Sequence, residues 1–473
     1  GEVKYEYVKQ VENQINAMAN YRAGLNLVWE NRGPDNIGGR VRGIVIDKDD
    51  PNTLYAGGVS GGIFKSTNGG KSWERKVYEA NLGGLIISTM EQGPEGTIYA
   101  GTGELFFNAM SGPDGNLTSG SIGGGIYKSS DKGETWEYMP STDPSSNATW
   151  QNIQDIIVDP SNSNHIWAAG YYGLMESTDG GTTWNRKTLP SGLTVSTIIE
   201  LEQSPDGNTI FAAAYKGGSC YLVRSTNKGQ SFDRNGAGTI STALSRMTLA
   251  ISPSNPDYIY AVGASNGGGG YQAYSTEGIY KSTDNGTTWV KMIDGNSETE
   301  VFGRYGHYQG QYDNCVAVDP YNENRIFVGG VGLYCLRGSM YYKVASTSEY
   351  TDNDEMFKNR YYIHADKHTI VFDTRTEPAR MYIGTDGGVF LSENFTAKYP
   401  SYKELNVNFT TTQFYGLAAH TDGDILGGTQ DNGCIRIDYY GLTGNSGQNI
   451  LGGDGFYTEI SKYNSDYYFT ESQ

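Results

Sequence analysis

The chain has 473 residues and a formal net charge of −18, with 53 acidic against 35 basic side chains. That balance excludes a general nucleic-acid binder, which needs a basic face, and argues against docking on anionic membrane surfaces. With 65 Gly, 37 Tyr and only 14 Pro, the composition predicts many short strands joined by Gly turns.

Residues 1–24 come first, and Val8, Val11, Ile15 and Met18 recur there at three-to-four spacing, which predicts a short amphipathic N-terminal helix. LNLVWENRGP (25–34) then reads as a lone outer strand, suited to completing the last sheet of a ring. From there a box recurs: KSTNGGKSW (65–73), KSSDKGETW (128–136), ESTDGGTTW (176–184), RSTNKGQSF (224–232) and KSTDNGTTW (281–289). The closing aromatics Trp73, Trp136, Trp184, Phe232 and Trp289 are 63, 48, 48 and 57 residues apart. A worn copy, LSENFTAKY (391–399), follows about two periods later, so one repeat has lost its box. A second marker keeps the same period, as in DPNTLYAGG (50–58), DPSNSNHIWAAG (159–170) and DPYNENRIFVGG (319–330). Its Pro, Asn and Asp make a turn between two strands.

Self-similarity near 50 residues signals a solenoid or a propeller. Each period reads as four antiparallel strands, which is one propeller blade, and blades bury their faces against one another around an axis. The fold expected is therefore all-β, a multi-bladed β-propeller of four-stranded antiparallel blades with Asp-box hairpins. In each box an Asp (Asp131, Asp179, Asp284) accepts from its own turn, a Gly supplies positive φ, and the Trp (Trp73, Trp136, Trp184, Trp289) packs between blades. A calcium loop needs carboxylates at several positions; the box has one, replaced by Asn68 and Asn227 in two copies.

Seven blades are expected over 25–405. Residues 406–473, where the spacing shifts and no box follows, read as the start of a second propeller or the remainder of one larger ring. The last copy, 461–472, holds only two strands, so further blades are expected in a longer protein. Cys220, Cys315, Cys335 and Cys434 contain no CxxC pair; disulfides and buried thiols both stay open.

The full motif Ser-x-Asp-x-Gly-x-Thr-Trp at 129–136, 177–184 and 282–289 resembles the Asp-box (BNR-repeat) propellers. WENRGPDNIGGRVRGIVID (29–47), YAGTGE (99–104), HADKHTIVFD (364–373), GTDGGVFLS (384–392), GGTQDNG (427–433) and GGDGFY (452–457) resemble secreted bacterial propellers related to glycoside hydrolase family 74 and to sortilin-type propellers. The resemblance implies a secreted or cell-surface protein, in a group whose members often carry a type IX secretion signal. It implies either a binding module for a protein or glycan, with no cofactor required, or a glycoside hydrolase acting on a β-glucan such as xyloglucan in a cleft between tandem propellers. Nucleic acid is not an expected partner; secretion machinery and other surface proteins are.

Glycoside hydrolysis needs two carboxylates flanking the scissile bond. Arg42 stands where the family's first catalytic Asp is expected, and Asp454 matches the second. Asp431 and Glu104, near strand ends, are further candidates. A sialidase would need an Arg group and a Tyr–Glu pair, and its usual Phe-Arg-Ile-Pro start is missing. Arg42, Tyr308 and Tyr312 are candidate ligand contacts. His364, Asp366 and His368 form H-x-D-x-H; on a strand they share one face and can hold a divalent metal, calcium or a transition metal. TDNDE (351–355) and TDGD (421–424) are weaker acidic candidates. The long insertions 105–124 and 265–276 are natural binding loops on a rigid scaffold.

Overall fold

The computed structural model describes residues 31–76, 86–105, 121–234, 237–266, 274–295, 300–304, 307–347, 361–438 and 445–472, with a few helical positions between 7 and 17. The predicted N-terminal helix and closing strand, the loop tips 106–120 and 267–273, and TDNDE fall largely or wholly outside those residues.

Seven antiparallel sheets follow one another, each laid out in chain order from an inner to an outer strand. Their inner strands are Val41–Ile46, Ile87–Gln92, Ile153–Asp159, Thr197–Gln203, Leu244–Ile251, Cys315–Val318 and Lys367–Asp373. Each packs on the next, and the seventh packs back on the first, so the sheets close a ring. The fold is a β-propeller. Six blades have four named strands; in the fourth, the outer position is the single bridge Arg224–Asp233. Blade six has no Asp box because its outer hairpin, Leu333–Arg337 to Met340–Lys343, turns tightly at Gly338, whose φ of 63° replaces the box.

The box works as a corner. Ser282 Oγ accepts from Gly286 N at 2.9 Å, and Asp284 Oδ1 accepts from Thr288 N at 2.8 Å. The Gly meets two demands at once. Gly133 has φ 74°, and a Cβ there would lie 2.4 Å from the ring of Tyr55 in the preceding blade. Trp289 is buried edge-on against Phe211 of blade four. These inter-blade contacts divide the core into wedges rather than one central mass.

An inner strand has a sheet neighbour on one side only, so its other edge carries unpaired N–H groups. Side chains of the preceding blade meet some of them. Asp155 Oδ2 accepts from Leu201 N at 2.8 Å, and Glu202 Oε1 accepts from Ile251 N at 2.9 Å. These carboxylates, with Glu91 and Glu200, also line a central cavity of about 340 Å³ beside Arg246.

The structure corrects the expected closing strand. Blade seven takes all four strands from within 367–404 and needs none from the N-terminus. The chain around residue 35 docks elsewhere: Asp35 N donates to Asn445 O at 3.2 Å, and Asn36 exchanges two hydrogen bonds with Gly447. After the ring come a four-stranded sheet, Phe414–Ala419 to Gln448–Leu451, and a hairpin, Gly455–Ile460 with Tyr468–Ser472, packed on each other. The four cysteines are free, buried thiols.

Candidate functional site

The polar centre of the molecule begins at the Gly-rich run GGRVRGI. Gly39 approaches the 405–412 segment so closely that a Cβ would lie 2.2 Å from Thr411 O. That approach sends Arg40 across the face of the ring. Its guanidinium meets Glu104 at 2.9 Å, Asp386 at 3.1 Å and Asp431 at 3.4 Å. Glu104 follows the second strand of blade two, Asp386 sits in a turn of blade seven, and Asp431 sits in a turn of the eighth sheet. One buried cation therefore joins both sides of the ring's seam to the C-terminal sheets.

Arg42 adds a second brace, 2.8 Å from the other oxygen of Glu104. The Tyr312 ring lies under both guanidinium groups, 4.8 Å from Arg40 and 5.5 Å from Arg42. The Tyr312 hydroxyl donates to Asp386 Oδ2, and His368 Nε2 lies 2.7 Å from Asp386 Oδ1. Burial pushes the Asp386 carboxyl up, but Arg40, His368 and Tyr312 together outweigh it and hold the group well below the usual carboxylate range. Burial drives His368 down to about 3, so its ring is neutral and Nε2–H donates.

Asp431 behaves in the opposite way. Burial, then the charge of Asp386, lift it to about 8 against the pull of Arg40. It has φ 61°, its N–H donates to Asp454 Oδ1 at 2.6 Å, and its carbonyl lies 3.0 Å from His364 Nε2. Its side chain keeps 26% exposure, whereas Glu104 keeps 2% and Asp386 none. Outward from Asp431 and Asp454, Tyr415 stacks on Phe456 with ring centres 5.2 Å apart, and Tyr415 is 54% exposed. The charges of Asp454 and Asp431 reach the Tyr415 hydroxyl, which burial raises first.

The structure thus gathers Arg42, Glu104, Tyr312, His364, Asp366, His368, Asp431 and Asp454 at one place. Tyr308, half-buried on the hairpin 303–308, is joined to this cluster by no contact among the described residues. The H-x-D-x-H geometry is corrected. The strand starts only at Lys367, Asp366 takes φ 60°, and the two histidines turn to different partners. The carboxylates of Asp366, Asp386 and Asp431 instead lie within 4.8 Å of one another. In TDGD, Asp424 pairs with Arg436 at 2.6 Å and Asp422 meets His420 and Ser465. Sequence reasoning missed Arg40 and Asp386. Both stood inside Gly-rich runs, GGRVRGI and GTDGGVF, and a charged residue held between glycines was the available signal.

A family model described as Sortilin, neurotensin receptor 3 (Sortilin-Vps10) matches residues 172–425, more than half of the chain. The chain belongs to this sortilin family. A search of curated proteins returns no match. Among solved structures, this sortilin-family chain is similar to an ancestral GH74 enzyme, with a TM-score of 0.63 at 19% identity over 92% of the chain and 58% of that protein. It is also similar to the GH74 enzyme of Niastella koreensis, with a TM-score of 0.62 at 17% identity. The GH74 xyloglucanase of Xanthomonas campestris gives 0.62 at 15% identity. For these last two the match covers 92% of the chain and 64% of each relative. The sortilin-family chain therefore spans about six-tenths of the length of these enzymes, and the likeness is one of fold. No helix among the described residues is long and apolar enough to cross a membrane.

Proposed function

We propose that this propeller is a secreted or cell-surface binding module whose ligand, a glycan, rests on the edge formed by Asp431, Asp454, Tyr415 and Phe456. The two sheets after residue 405 are read as blades of a second propeller, since they pack on each other rather than as an eighth member of the ring. One observation carries the binding reading. Glu104 and Asp386 are buried, Glu104 ion-paired with Arg40 and Arg42 and Asp386 bonded by Arg40, Tyr312 and His368, so neither is open to a substrate. What stays open is the exposed Tyr415 ring, backed by the half-buried Phe456 and beside two carboxyl groups, suited to a sugar's apolar face and its hydroxyls.

The test is calorimetric titration with β-glucan oligosaccharides, run beside a reducing-sugar assay. Binding without release of reducing ends is expected, and Tyr415→Ala should weaken it about tenfold, or ~1.4 kcal/mol. Glycoside hydrolysis is the second reading, favoured by Asp431, a carboxyl held up to about 8 beside an ionised neighbour, as a general acid is. Release of reducing ends that Asp431→Asn abolishes would replace the first reading with the second.

A further inference from the structure

A second polar centre lies on the axis of the ring. Two adjoining cavities, of about 220 and 340 Å³, are both lined by Glu91, Asp155, Glu200, Arg246 and His368. Glu202 joins them in the larger one. The four carboxylates come from blades two, three and four, and each keeps partial exposure, so solvent reaches them.

Their partners are unequal. Backbone amides serve three of the four: Leu201 N reaches Asp155 at 2.8 Å, Ile251 N reaches Glu202 at 2.9 Å and Leu249 N reaches Glu200 at 3.4 Å. Glu91 is met only by the like charges of Asp155 and Glu202. Arg246 acts on Asp155 and Glu200, but its Nη1 donates to the carbonyls of Tyr312 and Gln311, at 2.7 and 3.4 Å. Among the described residues no cation stands beside Glu91 or Glu202. Arg42 and Glu104, in the wall of the smaller cavity, already pair with each other at 2.8 Å.

His368 belongs to blade seven, three blades from both three and four, and so lies across the axis from their carboxylates. It donates Nε2–H to Asp386 at 2.7 Å, which leaves Nδ1 a lone-pair acceptor. Nδ1 is buried with no hydrogen-bond partner, on a side chain 1% exposed. Gln154 Nε2 and Gln203 Oε1, in the walls of the two cavities, are buried without partners too. Water supplies hydrogen bonds but no positive charge, and enclosed carboxylates call for both.

We propose that the central cavity binds an organic cation of the polyamine class, with one ammonium at Glu91 and Glu202 and a second N–H donor directed at His368 Nδ1. A metal ion fits less well. Among the described residues, no three His, Cys, Asp or Glu side chains of this cavity bring ligand atoms within 4.8 Å of one another, so these carboxylates are too dispersed for one coordination shell. Spread acceptors suit a spread ligand, and Leu201, Leu249 and Val316 offer aliphatic wall for its methylenes. Burial raises Glu91 and Glu202 to about 8. A neighbouring ammonium favours their charged forms, so binding releases protons below that pH and tightens as pH rises towards it. The site goes beyond the glycan-binding reading and does not depend on it.

The experiment is calorimetric titration of the intact chain with 1,4-diaminobutane and with spermidine, in two buffers of different ionisation enthalpy, at pH 6 and pH 8.5. Expected are one ligand per chain, proton release at pH 6, and affinity about tenfold higher at pH 8.5. Glu91→Gln should weaken binding about tenfold. It replaces a carboxyl that is largely protonated at neutral pH, so folding should survive; Glu202→Gln, which keeps an acceptor for Ile251 N, is the second variant. Asp284→Asn, in an Asp box, should leave affinity unchanged. No saturable heat at millimolar diamine at pH 8.5 would overturn the proposal, as would unchanged affinity in both folded Gln variants. Equal binding of Mg²⁺ in competition with the diamine would show general screening of an acidic channel and overturn it as well.

Discussion

Asp179 and Asp386 are the same residue type put to opposite uses. Asp179 lies at an exposed blade corner, held down to about 2 by the hydroxyl and amide of Thr183, four residues away. Asp386 lies buried at the seam, also held down, but by Arg40 and His368, 346 and 18 residues away in sequence, and by Tyr312, 74 residues away. The corner satisfies itself, so it can be copied from blade to blade. The seam depends on groups that only ring closure brings together, so it occurs once.

The sharpest way to break this contrast is Arg40→Ala. It leaves Glu104 and Asp386 buried without their shared cation, and loss of one partner of a buried ion pair costs about 3–5 kcal/mol. Urea unfolding measures it; a loss under about 1 kcal/mol would mean that the seam does not rest on this residue.

The acidic central cavity differs from Asp386 at the seam in the sign of its shifts. Burial, with the charge of Asp155, pushes Glu91 and Glu202 up to about 8, although Ile251 N opposes the shift at Glu202. Their usual value is 4.5, so between that pH and 8 the folded ring holds protons that the unfolded chain has released. Stability contributed by these groups therefore falls as pH rises through that window and is lowest above it. Arg246 is the cation beside them in the cavity. The melting temperature should drop by several degrees from pH 5.5 to pH 9, and Glu202→Gln should flatten the drop. A melting temperature that climbs with pH would refute the account.

The smallest effect belongs to the corner. Asn68 Oδ1 accepts from Ser72 N at 3.0 Å in the same geometry that Asp179 uses with Thr183. Asp179→Asn should therefore leave the melting temperature within about 1 °C, as surface changes that keep their hydrogen bonds do. A larger loss would show that the corner needs its charge.

These ranges explain what the sequence disclosed. The blades were legible because Ser282, Asp284 and Gly286 interact within four residues, and local chemistry repeats as a pattern in the string. Ring closure was legible only in part: the period left about seven blades or one larger ring open, and residues 35 and 36 turn to the eighth sheet because hydrogen-bond partners of theirs lie 411 residues on. The site residues Asp431, Glu104 and Arg42 were individually conspicuous among Gly and strand ends. Their common centre was not, because Arg40 reaches partners 64, 346 and 391 residues distant. The metal geometry read into HADKH failed for a local reason, since Asp366 adopts a left-handed backbone that ends the alternation a strand would impose.

The carboxylates that cross from one inner strand to the amides of the next give the ring a directional grammar. Blade three offers Asp155 to blade four, which offers Glu202 to blade five. A blade transplanted into that arc from a relative must arrive with an acceptor at the matching inner position and a free amide to receive one. Interchangeability in that arc is therefore governed at the axis, by the acidic side chains at each junction, and not at the conspicuous Asp-box corners.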